Sequence, residues 1–281
     1  MSTPPPSFQG WQAHPEVQQE TLAPSAAQAL AATLDLDPTP WQDGAALPPL
    51  WHWVCFTPKA AQSALGPDGH PQKGNFLPPI DLPRRMFAGV ALTIHSPLRL
   101  GLPTTRQADV TNLAFKTGSQ GPLAFVTVLV RFFQNDSLCL EETQTLVYRG
   151  PGSPVATPQA KPLAPPAAGT WVQTVTPDPV LLFRFSALTF NGHRIHYDRP
   201  YATAVEGYPG LVVHGPLVAL MLAELARAQD PRPVKSLRYK ATAPLFDLAP
   251  FDLLGTPSPQ GVALTARRCD GVTAAEASVT F

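Results

Sequence analysis

The sequence predicts an α+β chain with antiparallel strands, a buried apolar helix, and a second half that repeats the order of the first. Three observations carry this expectation. Residues 217–227 are apolar almost all round, from Leu217 through Leu220 and Leu222 to Ala226, and a helix without a polar face is a buried one. Three long runs, 104–115, 123–133 and 138–149, follow one another at hairpin spacing, which implies antiparallel pairing. A stretch rich in Pro, Ala and Gly, 150–170, then divides the chain, and the second half repeats the order of the first.

Taken in order, residues 1–15 are polar and Pro-containing and are expected to form a loosely held arm. Pro24-Ser25 opens a short helix expected over 25–36, stopped before Pro38-Thr39-Pro40. The aromatic stretch 50–56, around Trp51 and Trp53, reads as core and leads into a second expected helix at 59–65. Gly66-Pro67-Asp68-Gly69-His70 is a turn cluster. A strand is expected over 85–96, a turn at 97–101, and a hairpin loop at 118–122 joins the long strands 104–115 and 123–133. The second of these is so continuously Phe, Val and Leu that it suits a strand covered on both faces. Beyond the divide, 183–190 is strand-like, a histidine-rich turn follows, and Pro216 suits the first turn of the apolar helix, which makes Gly215 its expected N-cap. Further strands are expected over 234–243, 251–256, 261–268 and 274–281.

Composition narrows the function. The 281 residues carry 20 basic and 20 acidic side chains, so no net field points to nucleic acid or an anionic membrane as partner. The apolar helix, at about a dozen residues, is shorter than the roughly 20 needed to span a bilayer. Three cysteines, Cys55, Cys139 and Cys269, lie far apart, which fits neither a disulfide framework nor a zinc site and agrees with a reducing cytoplasm. No basic region followed by an apolar run marks a secretory signal at the N-terminus.

The chemistry-bearing residues cluster between 191 and 216. Asn191-Gly192-His193-Arg194-Ile195-His196-Tyr197-Asp198 concentrates groups that hydrogen-bond or carry protons, and Val213-His214-Gly215-Pro216 opens the buried helix. The free N–H groups and dipole of such a helix start can hold an oxygen on which negative charge develops. Gly215 is therefore an oxyanion-hole candidate, and His196, whose imidazole titrates near neutrality, is the proton carrier to set beside it.

This pair of segments resembles the active-site region of the MaoC-like (R)-specific enoyl-CoA hydratases, which have a hot-dog fold. Asn191 falls where that family has its catalytic Asp, His196 falls on the catalytic His, and Gly215 on the glycine whose N–H polarises the thioester carbonyl. The string from Phe185 to Asp198, with Asn at 191, is more similar still to the branch containing the hydroxyacyl-thioester dehydratases and the mesaconyl-C4-CoA and itaconyl-CoA hydratases. Arg84-Arg85-Met86-Phe87-Ala88-Gly89 and His95-Ser96-Pro97-Leu98-Arg99 resemble the same branch. The resemblance implies an α+β tandem (double) hot-dog, antiparallel sheets each wrapped around a central helix: residues 1–150 a degenerate unit that binds substrate and coenzyme A, 151–172 a linker, and 173–281 the catalytic unit. It also implies hydration of a short branched or dicarboxylic enoyl-CoA, best matched by mesaconyl-C4-CoA or itaconyl-CoA giving citramalyl-CoA. No metal or redox cofactor is called for, since coenzyme A arrives with the substrate, and a homo-oligomer is expected.

Bland readings stand beside these. His193 and His196, three apart, suggest a metal pair but lack an evident third ligand. Asn191 holds the water or merely caps a turn. Arg194 and Tyr197 face substrate or solvent, and His193 and His214 join them as candidate substrate contacts. Arg84, Arg85 and Arg99 bind the phosphates of coenzyme A or a substrate carboxylate, or are exposed charges at strand ends. Three other functions compete: a fatty-acid-type 3-hydroxyacyl-thioester dehydratase, a hot-dog thioesterase, which needs a carboxylate that Asn191 does not supply, and a non-catalytic thioester-binding subunit.

Overall fold

A computed structural model describes residues 10–118, 121–152 and 154–281. The part of the expected N-terminal arm up to residue 9, and Ser119 and Gln120 of the expected hairpin loop, lie outside these. Among the described residues, ten strands form one antiparallel sheet: β1 (Glu16–Thr21), β2 (Arg84–Ile94), β3 (Pro103–Gly118), β4 (Gly121–Gln134), β5 (Ser137–Arg149), β6 (Trp171–Val175), β7 (Ser236–Ala241), β8 (Phe251–Ser258), β9 (Gly261–Arg267) and β10 (Thr273–Thr280). Their order is β1-β3-β4-β5-β2-β7-β10-β9-β8-β6. The first-half and second-half strands therefore join edge to edge at β2 and β7, where Val90 pairs Tyr239 and Leu92 pairs Leu237.

The meander β3-β4-β5 follows the expected hairpin order, with Val128 paired to Val110 on one side and to Gln144 on the other. Strand β4 is not equally covered on both faces. Ala124, Val126, Val128, Val130 and Phe132 are buried, while Phe125, Leu129 and Phe133 between them are only half-buried. The alternation is hidden in the sequence because both faces are apolar, as happens where the outer face is also partly sheltered.

Helix α1 (Pro24–Thr33) starts on Pro24, as expected, and buries Ala27, Leu30 and Ala31. The helix expected at 59–65 is a single 3-10 turn, Gln62–Ala64, with no buried residue: without an apolar stripe there is nothing to hold a longer helix against the core. Trp51–Val54 forms another 3-10 turn wedged between the two halves. The Trp51 indole donates to Glu224 of the long second-half helix at 2.8 Å, and His52 and Trp53 both bond the fully buried Glu142 of β5.

The strand-like reading of 183–190 is overturned. Pro179–Leu188 is a helix, α2, whose N-cap Asp178 accepts the Leu181 N–H at 2.8 Å. The Asp-Pro start decides the matter, since it satisfies one orphan N–H and presets φ, whereas the aromatic content of 183–190 alone looked extended. Helix α3 (Gly215–Gln229) is the long apolar one, buried from Leu217 to Ala226 apart from Met221 and Glu224. Its N-cap is His214 rather than Gly215, which is the first helical residue. It packs on β2 and β7 to β10, so strands of both halves wrap it.

Residues 150–170 have neither helix nor strand among those described. They run along the second half, where the Val155 N–H bonds Gly207 O at 2.8 Å and the Lys161 N–H bonds Cys269 O at 3.2 Å. Strand β6 begins at Trp171, inside the expected linker. Cys55, Cys139 and Cys269 are free thiols. Among the described residues no helix is long and apolar enough to cross a membrane.

Candidate active site

The N-terminus of α3 opens on a cleft of about 1750 Å³ lined from both halves, and His196, Asn191 and Gly215 all face it. Chain geometry fixes His196 at two points. The 3-10 turn Arg194–His196 is tied to the approach of α3 by the Val212 N–H, which bonds Ile195 O at 3.0 Å. The His196 ring then returns the contact, Nδ1 lying 2.7 Å from Val212 O. A carbonyl only accepts, so Nδ1 carries the proton and Nε2 is left as a free base. Burial pushes the imidazole down to about 4, with the Val212 bond opposing and the charge of His70 adding to the fall. At neutral pH it is therefore neutral and ready to accept a proton.

Gly215 begins α3 with its N–H unpartnered among the described residues, as the first turn of a helix requires. Phe87, beside the bulge in β2 at Ala88, and Tyr239 of β7 close round it. Pro216 brings no N–H of its own, so Gly215 and Leu217 are the donors this end offers.

Asn191 serves its turn as well as the cleft. Its Oδ1 accepts the His193 N–H at 3.0 Å, which leaves Nδ2 and one Oδ1 lone pair uncommitted. Tyr197 is exposed, and its hydroxyl donates to Gly192 O at 2.8 Å.

The remaining expected contacts divide. His193 is buried in the cleft wall, its ring 4.1 Å from that of His70 and 5.3 Å from that of His196. Burial holds it far below the usual imidazole range. Arg194 lines the cleft, but its guanidinium is given to Asp198 at 2.8 Å and to Pro67 O at 3.0 Å, a clamp between two loops. His214 does not reach the cleft. It is fully buried, bonds Ser186 Oγ at 2.8 Å, and stacks on His196 with centroids 3.6 Å apart; it backs the base instead of touching a ligand. Arg84 also turns away, ion-paired to the Glu206 carboxylate at 2.7 Å behind the cleft. The reason is register: alternation along β2 sends Arg84 and Arg85 to opposite faces, and only Arg85 lines the cleft. Arg99 is spent on Gly44 O.

In the sequence His70 and Asp68 are only part of a turn. The structure brings that turn from the first half onto the His193 loop, with the Arg194 N–H bonded to Asp68 O at 2.9 Å. His70 lines the cleft, and its Nδ1 lies 2.9 Å from Asp68 Oδ2. Burial alone would raise Asp68, and the bonds and charge of His70, with the charge of Arg85, together more than reverse that. Burial likewise lowers His70, with Asp68 pulling the other way. Asp68, His70 and His193 each offer a ligand atom within 4.8 Å of the others, a first-half contribution that counting His193 and His196 did not find. Since Asp68 and His70 bond each other, the group reads as a carboxylate-anchored imidazole packed on a second ring. An Asp two residues before a His across a Gly was the available signal.

The hydroxyacyl-thioester dehydratase type 2 family model matches residues 50–247. The chain is 55% identical over 256 residues to the mesaconyl-C(4)-CoA hydratase of Chloroflexus aurantiacus, covering 90% of this chain and 91% of that protein. It is 29% identical over 229 residues to the mitochondrial hydroxyacyl-thioester dehydratase type 2 of Schizosaccharomyces pombe, 71% of this chain and 74% of that one. Among solved structures, a Mycobacterium tuberculosis protein described as a double hot-dog superposes with a TM-score of 0.56 at 16% identity, over 98% of this chain and 97% of that one. The sheet wrapped round α3 is thus a double hot-dog.

Proposed function

Because the chain belongs to the hydroxyacyl-thioester dehydratase type 2 family, we propose that it catalyses the reversible hydration of a short dicarboxylic enoyl-CoA, mesaconyl-C4-CoA to citramalyl-CoA. The 55% identity to a mesaconyl-C(4)-CoA hydratase, over 90% of this chain and 91% of that one, supports that substrate over the alternatives. The observation that carries the chemistry is the His196 Nδ1 bond to Val212 O, which leaves a neutral Nε2 facing the cleft beside the start of α3.

In this reading the thioester carbonyl accepts the Gly215 N–H, which draws electrons from the C=C bond toward the carbonyl oxygen. His196 Nε2 takes a proton from water, the hydroxide bonds to the β carbon, and the imidazolium returns the proton to the α carbon. Asn191 Nδ2 donates to the water or to the new hydroxyl. Positioned acid–base catalysis contributes about 10²–10⁴-fold and one oxyanion donor about 2.7–4 kcal/mol. Arg85 lines the cleft without a carboxylate in ion-pair contact among the described residues, its charge felt by Asp68, His70 and His193. It is the cation for the free carboxylate of the acyl group. No redox or metal cofactor enters the scheme, and self-association of the double hot-dog is part of the proposal.

The test is loss of enoyl-thioester absorbance with mesaconyl-C4-CoA, itaconyl-CoA and crotonyl-CoA, wild type beside His196→Ala. Rapid hydration of mesaconyl-C4-CoA and a fall of several hundredfold in a folded variant are expected. No turnover of any of them, or a variant equal to wild type, refutes the reading.

A further inference from the structure

We propose that His70, held by Asp68, is a second catalytic imidazole: it accepts the other O–H of the water that His196 deprotonates, and so aims the oxygen at the β carbon. This rests on the hydration reading above.

Three observations converge on it. The first is that the 66–70 turn is built against the catalytic loop and not merely near it. Gly69 sits at φ +87°, and a Cβ there would lie 1.8 Å from Gly192 O; a Cβ on Gly192 would lie 2.6 Å from Gly69 O. Two glycines therefore let backbone meet backbone, which no side chain permits. The Arg194 N–H to Asp68 O bond and the Arg194 guanidinium to Pro67 O bond lock the same contact. A turn needed only to reverse the chain has no use for so close a fit.

The second is the matched anchoring of two imidazoles. His196 gives its Nδ1 proton to a carbonyl and His70 gives its own to a carboxylate, so each presents Nε2 as an acceptor. Both line the one cleft, and a proton on His70 disfavours one on His196. One protonated ring at a time is what a base and a neutral acceptor need.

The third is the hydrogen-bond account of the water itself. Water attacks through an oxygen lone pair, so its two O–H groups must both find acceptors. His196 Nε2 takes one. Asn191 Oδ1 already accepts the His193 N–H and keeps a single lone pair, and its Nδ2 only donates, so Asn191 is the weaker second acceptor. His214 is out of the cleft, and Arg85 only donates. His70 Nε2 is the acceptor that the first half brings in. Atoms balance: the proton on His196 goes to the α carbon, and the hydrogen bonded to His70 stays on oxygen as the product hydroxyl.

The test compares His70→Ala, His70→Gln and Asp68→Asn with wild type on mesaconyl-C4-CoA, measuring kcat, KM and thermal midpoint, with metal content of each preparation. Gln places a carbonyl oxygen where Nε2 was. Expected are a fall in kcat of about 100-fold for Ala with KM within about threefold, recovery of about tenfold by Gln, and a fall of about tenfold for Asp68→Asn. The inference is overturned if His70→Ala keeps kcat within about threefold of an active wild type, if Gln is no better than Ala, or if KM rises in step with the loss of kcat. It is equally overturned if a stoichiometric divalent metal leaves with His70. An inactive wild type would instead sink the hydration reading on which the inference stands.

Discussion

Acid should unfold this protein early and steeply, because its site packs four imidazoles that burial keeps neutral. His70, His193, His196 and His214 are all held below their ordinary range, His196 to about 4, with burial the largest cause in each. An unfolded chain protonates each near 6.5. Below that point the unfolded state binds protons that the folded state refuses, so stability is complete above about 6.5 and drains as pH falls toward 4. Each such proton is worth about 1.4 kcal/mol per pH unit, and four together about 5 kcal/mol per unit. One unit below 6.5 thus matches the low end of the roughly 5–15 kcal/mol that holds a domain folded. Asp68 and Glu142, whose carboxyls are lowered, lose their contribution only below about 4.5 and do not blur the window. Denaturant melts at steps from about pH 7.5 to about pH 5 give the proton uptake from the slope of stability against pH. Three to four protons are expected, and one fewer in His193→Phe. A flat profile across that range, or a slope of less than one proton, would refute the claim that the fold keeps these rings neutral.

Two more outcomes follow from where the arginines sit. Arg84→Met strips the buried Glu206 carboxylate of its partner and should cost about 3–5 kcal/mol in a denaturant melt, while KM for the thioester stays near wild type because Arg84 faces away from the cleft. Arg85→Met should do the reverse, leaving the melt within about 0.5 kcal/mol and cutting kcat/KM for mesaconyl-C4-CoA by about 10- to 100-fold. Crotonyl-CoA, which has no free carboxylate, should lose little; an equal loss on both substrates would assign Arg85 to the coenzyme A portion instead.

Residues 217–226 could only be a buried helix, since no face was left for water, and the runs beginning near 104, 123 and 138 could only be hairpin-linked strands; both stand in α3 and in β3 to β5. The 191–196 segment put His196 forward as a proton carrier, and the family resemblance added Asn191; both line the cleft. What the sequence could not decide were matters of direction and of distance across the chain. Whether 183–190 was strand or helix turned on the Asp178-Pro179 cap upstream of it. Whether Arg84 or Arg85 met the cleft turned on the register of β2, where one step changes the face. His214 looked like a ligand contact and became the stacked support of His196, because the cap position of α3 points its ring inward onto Ser186. Asp68 and His70 lie more than 120 residues before the loop they serve. No local pattern joins them to it; only the sheet and the backbone contact of Gly69 with Gly192 bring them there.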